Sequence, residues 1–259
     1  MKCLKLYWST SLKNGKKNVG DWLSPLLCEQ LSGRRVEHAR PNRCDLIAIG
    51  SILHKVRNSW FSRTIHVWGA GLMEEKPAFR SRHHFHALRG KKTNACIIHD
   101  SNPVFGDPAL LGDMLVPDLP AEKTFPIGLI PHYKDQENPV IKEFLSLHPH
   151  AAMIDVLSEP HDFIRRVASC QVVLSSSLHG LVIADSLSVP NAWVRVSNLV
   201  RGNDFKFHDY YSTFGIEAKA FPLTAQTPEA DVLELAATYK RPGIERIKAD
   251  LLSAFPFGR

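Results

Sequence analysis

The segment Gln171–Pro190, QVVLSSSLHGLVIADSLSVP, has the pattern of a buried strand, a tight turn and a helix. A short apolar run comes first, three serines follow it, and a longer apolar stretch closes the segment. Serine is a preferred residue at the start of a helix, and the length of each apolar run separates strand from helix. We therefore predict a strand at Gln171–Leu174 and a helix at Leu178–Leu187, with Ser177 at the helix N-cap.

The turn in this segment has the features of an anion site. Backbone N–H groups at the start of a helix are unpaired, and the helix end carries a partial positive charge. The hydroxyls of Ser175, Ser176 and Ser177 add donors, Gly180 leaves the backbone accessible, and His179 lies in the first helical turn. The alternative is a plain N-capped helix with a histidine near its cap, and the residues alone leave both interpretations open.

The same alternation of short apolar runs and amphipathic stretches extends over most of the chain and indicates βαβ units with parallel sheets. The predicted strands are Cys3–Trp8, Asp45–Ile49, Ile65–Trp68, Phe85–Leu88, Phe125–Ile130, Ala152–Val156, Gln171–Leu174 and Asn191–Val196. The predicted helices are Asp21–Leu31, Pro139–Leu147, Pro160–Ala168, Leu178–Leu187, Pro228–Tyr239 and Gly243–Phe255.

The stretch Val116–Phe125, with two prolines and mixed charge, interrupts this rhythm and predicts a domain boundary. The expected fold class is α/β, with two Rossmann-like domains that face each other across a cleft. The first domain comprises residues 1–120, and the second comprises residues 121–259 with the C-terminal helices. In such sheets, ligands bind beyond the carboxyl ends of the strands.

Composition restricts the function classes further. The 259 residues carry a formal net charge of +6, which suits an anionic ligand or an acidic membrane face but is too evenly spread to indicate nucleic acid. The five cysteines are odd in number and form no CxxC pair, which argues against a disulfide framework and a structural zinc site. No signal peptide or long apolar run is visible. We therefore expect a cytoplasmic protein that can contact the inner face of the membrane peripherally.

Residues 175–190 resemble the C-terminal signature of the polysaccharide pyruvyl transferase family. Further segments resemble that family in the same order along the chain, although many members carry arginine where this chain has Ser177. These segments are Asn18–Asp21, Gly50–Leu53, Trp68–Gly71, Arg89-Gly90 with Thr93, Gly106–Pro108, Pro131–Tyr133 and Phe205–Tyr211.

The resemblance implies that pyruvate is transferred from phosphoenolpyruvate, the donor, to a sugar of a surface polysaccharide or its lipid-linked precursor, with formation of a pyruvate ketal. It implies a GT-B-like fold, an acceptor side in the first domain and a donor side in the second. No cofactor and no metal are expected. Two alternatives remain open: a GT-B glycosyltransferase that uses a nucleotide sugar, and a non-enzymatic anion-binding or assembly protein.

The chemistry needs a general acid that protonates the enol carbon, and histidine has an ordinary pKa near neutrality. The catalytic candidates are His179 and His132, and the choice between them is open. His179 could be the acid or could hold the leaving phosphate, and His132 follows a strand at the same cleft edge. The alternative for His132 is a loop histidine that bonds to a neighbouring backbone group.

Anion and acceptor contacts come from other loops. Arg89, after a strand of the first domain, could hold an anion from across the cleft, or it could be a solvated arginine. Arg195 and Arg201 are weaker candidates of the same kind. Asn18 and Asp21 lie in the first strand-to-helix loop, where they would meet the acceptor, although Asp21 could simply cap the helix.

Three further features of the sequence give weaker indications of function. The His83–His86 run would place consecutive histidines on opposite faces of a strand, which is unsuited to a metal. The Gly69–Gly71 turn lacks the later glycine of a dinucleotide fingerprint. The basic patch of Lys13, Lys16 and Lys17 is either a solvated loop or a contact for phospholipid or a lipid-linked diphosphate.

Overall fold

Two parallel β-sheets form the centre of the protein, as seen in a computed structural model that describes residues 3–13, 15–59, 61–200, 202 and 204–258. The strands, in chain order, are β1 (Leu4–Tyr7), β2 (Val36–His38), β3 (Leu46–Ile47), β4 (His66–Trp68), β5 (Phe79–Arg80), β6 (His84–Leu88), β7 (Ile97–Ile98), β8 (Val104–Phe105), β9 (Phe125–Ile130), β10 (Ala152–Met153), β11 (Cys170–Ser175) and β12 (Asn191–Trp193).

The helices lie between and after these strands. They are α1 (Val19–Ser32), α2 (Lys91–Ala95), α3 (Pro139–Leu147), α4 (Pro160–Ala168), α5 (Leu178–Ser186), α6 (Phe205–Ser212), α7 (Glu229–Leu233), α8 (Leu235–Thr238) and α9 (Ile244–Ser253), with 3-10 helices at Leu53–Lys55 and Pro108–Leu115.

The first sheet has the strand order β2-β1-β3-β4-β6-β8 and the second has β10-β9-β11-β12, while β5 and β7 form a separate pair. Every strand pair within these sheets is parallel. The predicted α/β class with parallel sheets is thereby confirmed. The division into two domains at residue 120 stays a prediction.

Strand β11 and helix α5 form where the opening segment predicted them. Strand β11 lies between β9 and β12, and all of its residues except Gln171 are buried, as expected for a central parallel strand that is covered on both faces. Helix α5 follows after Ser176 and Ser177, and all but one of its side chains are buried. This strand–turn–helix unit therefore places the start of α5 at the carboxyl edge of the second sheet.

Helix α1 begins two residues earlier than predicted. The side chain of Asn18 caps it by accepting a hydrogen bond from the N–H of Gly20 at 3.0 Å. The helix ends at Gly33, whose left-handed φ of 61° suits glycine. Asp21 thus lies inside the first turn, and its side chain is not the cap.

The end of the chain returns to the first sheet. Helix α6 packs on α2, and the indole N–H of Trp68 in β4 donates a hydrogen bond to the carbonyl of Leu251 in α9 at 2.9 Å. A single cluster of buried apolar side chains also joins the two halves, from Leu6 in β1 to Val173 in β11. The two sheets are therefore held together by α6 and α9 as well as by the linker.

The structure differs from the sequence predictions mainly in short elements. Pro228–Tyr239, predicted as one helix, consists of α7 and α8, which are separated at Glu234. Strands β2, β5, β7 and β8 and helix α2 were missed because two to five residues are too few to show a period. Helix α6 was missed as well. Among the described residues, no helix combines the length and apolar character needed to cross a membrane.

Candidate active site

A cavity of about 540 Å³ opens at the carboxyl edges of both sheets. Segments that follow β1 and β3 line it on one side, and segments that follow β9 and β11 line it on the other, together with α6. Of the predicted site residues, the lining includes Asn18, Asp21, His132, Ser177 and His179. The structure therefore brings together predicted acceptor-side and donor-side residues that are more than 100 positions apart in the chain.

His179 stands at the base of this cavity, in the first turn of α5. Its side chain is 17% exposed, and its Nε2 lies 3.8 Å from Oδ2 of the fully buried Asp107. Within the described part of the chain, neither of these two atoms has a hydrogen-bond partner. Burial, followed by the positive charges of Lys206 and Arg89, lowers the pKa of His179 to about 3. The imidazole is therefore neutral at pH 7 in the unliganded protein.

His132 is held differently. Its backbone N–H donates to Oγ of Ser176 at 2.9 Å, and its Nδ1 accepts a hydrogen bond from the N–H of Lys134 at 3.3 Å. Because Nδ1 is an acceptor, the proton of the neutral ring is on Nε2. Burial, followed by Lys206, Lys134 and Lys13, lowers the pKa of His132 to about 3. The local backbone contact anticipated for His132 is present, and the ring also lines the cavity.

On the opposite side, the carboxylate of Asp21 enters the cavity. Asn18 caps α1, so the side chain of Asp21 is not used at the helix end. Burial raises the pKa of Asp21 to about 6, against the opposing effects of a hydrogen bond with Ser9 and the charge of Lys13. A carboxyl group with this pKa can exchange a proton near neutral pH.

The three serines have separate environments. The single hydroxyl proton of Ser175 is shared between the carbonyls of Ile130 and Ser177, each 2.8 Å from Oγ. The hydroxyl of Ser176 donates to Asp135 Oδ2 at 2.7 Å. Ser177 is the N-cap residue, but its side chain makes no capping hydrogen bond. It is the member of the three that lines the cavity. The substrate contacts predicted for Ser175 and Ser176 stay predictions, with their hydroxyls bonded inside the protein.

Gly180 allows α5 to approach the strands closely. A Cβ at this position would overlap Oγ of Ser175 and come within 2.9 Å of Ile130 Cγ2. Gly180 is not among the described lining residues of the cavity, and its predicted contact with substrate stays a prediction.

Of the predicted anion-binding arginines, the two that the structure describes, Arg89 and Arg195, are absent from the described cavity lining. Arg89 is fully buried; it donates from Nε to Asp209 at 2.9 Å, from Nη1 to Ser51 and from Nη2 to the carbonyl of Leu72, both at 2.6 Å. It is therefore not the solvated arginine of the alternative, and its role as an anion clamp stays a prediction. Arg195 pairs with Asp204 at 3.2 Å. Arg201 lies outside the described residues.

Two residues that sequence reasoning did not select belong to this site. Lys206 lines the cavity from α6, and burial with the nearby charge of Arg89 lowers its pKa to about 8. Asp107 lies behind His179. Both fall within segments that resemble the family, Phe205–Tyr211 and Gly106–Pro108, but nothing local in either segment indicates its distance from His179.

The charge of the cavity favours anions. Its described lining contains four lysines and one carboxylate; the lysines are Lys13, Lys55, Lys134 and Lys206, and the carboxylate is Asp21. The described residues contain no group of three or more histidines, cysteines or carboxylates arranged to hold a metal ion. The rings of His66, His84 and His86 do meet, with Nδ1 of His66 2.7 Å from Nε2 of His86.

Comparison with known proteins agrees with this geometry. The family model for polysaccharide pyruvyl transferase matches residues 4–198, about three quarters of the chain. The chain belongs to the polysaccharide pyruvyl transferase family. The match includes both sheets and His179 and ends before Lys206. Membership in this family supports pyruvyl transfer to a polysaccharide and makes the protein a transferase.

Two relatives have been identified. The uncharacterized protein L143 of Acanthamoeba polyphaga mimivirus is 27% identical over 209 residues, which cover 77% of this chain and 72% of that protein. The succinoglycan biosynthesis protein ExoV of Rhizobium meliloti (strain 1021) is 30% identical over 117 residues, which cover 42% of this chain and 34% of that protein. The printed name of the second relative places that protein in succinoglycan biosynthesis.

Proposed function

We propose that the protein transfers pyruvate from phosphoenolpyruvate to two hydroxyls of one sugar, so that a pyruvate ketal forms. The observation that carries this proposal is the cavity in which two histidines and a carboxyl group of raised pKa share a lining with four lysines. Phosphoenolpyruvate carries a carboxylate and a phosphate, and lysine ammonium groups bind both.

The donor phosphate fits the side of the cavity formed by α5 and α6. The N-terminus of α5 presents its first backbone N–H groups there, beside the ammonium of Lys206. Among the described residues no carboxylate forms an ion pair with Lys206, whose Nζ lies 5.0 Å from the ring centroid of Phe207. The ammonium is therefore available to an incoming anion.

The reaction divides into proton and bond steps that balance. A proton adds to the methylene carbon of phosphoenolpyruvate, which becomes the methyl group, and the neighbouring carbon becomes cationic. One sugar hydroxyl attacks that carbon and loses its proton. The bond from this carbon to the phosphate oxygen breaks, the second hydroxyl attacks and loses its proton, and the ring closes. One of the two hydroxyl protons replaces the proton that was added, and the other leaves with inorganic phosphate.

His179 is the general acid of this proposal. Its pKa is low in the unliganded protein because it is buried beside Lys206 and Arg89. Bound donor brings negative charge to the same place, which favours the imidazolium form and raises the pKa of His179. His132 can donate a hydrogen bond to a bound substrate from Nε2, because its Nδ1 already accepts one from the backbone N–H of Lys134.

The first half supplies the acceptor side. Asn18 and Asp21 reach the cavity from α1, and the carboxylate of Asp21 accepts a hydroxyl proton. In this proposal the first sheet carries the acceptor side and the second sheet carries the donor side. We therefore propose a GT-B-like arrangement of two domains across a cleft for this chain.

The acceptor that we propose is a lipid-linked oligosaccharide at the inner, cytoplasmic face of a membrane. Beside the cavity, the basic patch of Lys13, Lys16 and Lys17 is adjacent to Leu12, whose relative exposure is 58%. An exposed leucine next to lysines suits an anionic membrane surface. The context of exopolysaccharide biosynthesis is taken from the relative ExoV.

Thermal unfolding with added ligands tests the donor. A ligand that binds only the native state raises the midpoint, so phosphoenolpyruvate should raise it and nucleotide sugars should not. Release of inorganic phosphate with a panel of oligosaccharides, and the appearance of a ketal methyl signal in NMR spectra, then test the transfer itself. A shift with nucleotide sugars alone would favour a glycosyltransferase. If neither ligand shifts the midpoint and no phosphate is released with any acceptor, the non-enzymatic alternative is favoured.

A further inference from the structure

The buried carboxylate of Asp107 and the partly buried imidazole of His179 face each other at the base of the cavity. The reaction proposed above uses the imidazole and leaves the carboxylate without a role. Asp107 Oδ1 accepts a hydrogen bond from the N–H of Ala109 at 3.0 Å and so caps the 3-10 helix Pro108–Leu115. Its Oδ2 has no partner among the described residues, and neither does Nε2 of His179, 3.8 Å away. Unpaired buried polar atoms are costly and rare, so two that face each other indicate a function.

We propose that Asp107 is the positioning residue of His179: its Oδ2 accepts the Nε2–H of the imidazole, so that Nδ1 is the nitrogen that exchanges a proton with the donor. This inference rests on the proposed function for the identity of the donor. The separation of 3.8 Å exceeds a hydrogen bond, and such bonds often become shorter only when the substrate is bound.

Neighbouring residues restrict the position of the His179 imidazole. Gly20 in α1 lies against the imidazole, and a Cβ at that position would overlap Nδ1, Cγ and Cε1. The ring is therefore confined between the backbone of α1 on one side and Asp107 on another.

The charges around the pair explain why a carboxylate is needed there. Lys206 on α6 and Arg89 after β6 both disfavour the imidazolium, and Asp209 on α6 acts on Asp107. Burial raises the pKa of Asp107 to about 6, against the opposing effects of the hydrogen bond from Ala109 and the charge of Arg89. An ionised Asp107 offsets the two cations and stabilises the imidazolium as it forms.

The hydrogen bond from the N–H of Ala109 to Asp107 fixes the orientation of an amide placed at position 107. In Asp107→Asn, the N–H of Ala109 holds the amide oxygen, which leaves the NH₂ group facing Nε2 of His179. Nε2 must then accept, and the ring carries its proton on Nδ1. The substitution thus changes the tautomer while it preserves the shape of the side chain and the cap.

The experiment combines ¹⁵N NMR of the histidine rings with steady-state kinetics. We expect His179 to carry its proton on Nε2 in the wild-type protein and on Nδ1 in Asp107→Asn. Turnover of the variant should fall by about 10²-fold or more, while the KM for phosphoenolpyruvate changes less than about threefold. The matched control is Asp113→Asn, which changes a carboxylate of the same 3-10 helix that pairs with Lys248 instead. It should retain the wild-type tautomer and turnover.

Several results would overturn the proposal. They are a wild-type His179 with its proton on Nδ1, an Asp107→Asn variant with the wild-type tautomer, and a variant with unchanged turnover. The wild-type tautomer can be measured even if the variant fails to fold. It also needs no turnover, so a protein that does not consume phosphoenolpyruvate would contradict the proposed function while the ring measurement still decides the pairing with Asp107.

Discussion

The imidazole of His179 rests on the backbone of Gly20, so the first turn of α5 meets the first turn of α1 at the candidate acid. Helix α1 follows a strand of the first sheet and α5 follows a strand of the second, so this contact joins the predicted acceptor side to the predicted donor side. The absence of a side chain at position 20 is what allows this approach, because any Cβ there would overlap the ring.

Replacement of Gly20 with alanine should therefore move His179. We expect turnover to fall at least about tenfold, since small displacements of a catalytic group are costly, while the circular dichroism spectrum is retained. The control is Gly258→Ala, because a Cβ at Gly258 would meet only an ordinary contact at 3.9 Å. Equal turnover of Gly20→Ala and the wild-type protein would show that the ring position is not critical.

Lys206 should control donor affinity through its charge. Its pKa is lowered to about 8, so the side chain is cationic below that pH and neutral above it. Calorimetric titration should show that the affinity for phosphoenolpyruvate falls as the pH rises through 8, and that Lys206→Arg removes this fall because arginine stays charged. Lys206→Met should weaken binding about tenfold or more at pH 7, a loss typical of a charge-assisted hydrogen bond. Lys219→Met, which removes an exposed lysine paired with Glu217, is the control and should bind normally.

Asp21 should destabilise the folded protein at neutral pH. Its pKa is about 6 when folded and near 3.8 ordinarily, so the folded state binds the proton more tightly. The tighter binding of this proton favours folding below the pKa of Asp21 in the unfolded chain, and this stabilisation is lost as the pH rises through about 6. Asp21→Asn should therefore be more stable than the wild-type protein at pH 8, by about 1–3 kcal/mol, with the difference removed below pH 4.

Urea unfolding at pH 4, 6 and 8 measures this effect. Asp118→Asn, which changes an exposed carboxylate, should follow the wild-type curve at all three values. A constant difference between Asp21→Asn and the wild-type protein across the pH range would contradict the burial of a titrating carboxyl group at position 21.

The buried ion pair of Arg89 and Asp209 should dominate the attachment of α6. Asp209 accepts hydrogen bonds from Arg89, from the N–H of Thr93 at 2.7 Å and from its hydroxyl at 2.6 Å. Asp209→Asn leaves a buried guanidinium without its counter-charge, which costs about 3–5 kcal/mol in the free energy of unfolding. Glu217→Gln, which breaks an exposed pair, should cost less than about 1 kcal/mol. A small loss in Asp209→Asn, measured by urea unfolding, would contradict the ion pair as the main attachment of α6.

The basic patch should contribute to binding of anionic vesicles. Lys16→Glu combined with Lys17→Glu should weaken binding to vesicles that contain phosphatidylserine, since each surface lysine contributes about 1 kcal/mol. Lys219→Glu combined with Lys240→Glu changes the net charge equally at two other exposed positions. Sedimentation with vesicles compares the two double variants, and equal loss in both would indicate a general charge effect instead of a docking patch.

Local patterns predicted much of the site. His179 and Ser177 were selected because the end of a strand and the start of a helix are adjacent in the sequence there. His132 was selected because it follows the strand Phe125–Ile130. Asp21 was predicted to lie in the first strand-to-helix loop, but it lies in the first turn of α1, because Asn18 is the residue that caps the helix. Both residues are acceptable caps. The sequence could not choose between them.

Other features depended on contacts between distant segments. Asp107 and His179 are 72 positions apart, and Arg89 and Asp209 are 120 positions apart. No periodicity or capping rule relates residues at such separations, because their distance is set by how the sheets and helices pack. The same packing determines the burial that shifts the pKa values of His179, Asp21 and Lys206.

Hydrogen bonding and side-chain period act over a few residues, and so the strand, turn and helix of residues 170–186 were already specified by the amino-acid order. Desolvation and charge–charge interactions depend on which residues are close in space, so these effects on the site arise only when the chain has folded. The return of α6 to the first sheet brought Lys206 to the cavity, and the approach of Gly20 to His179 positioned the ring. Folding in three dimensions thus converted a local helix start into a charged, partly closed site.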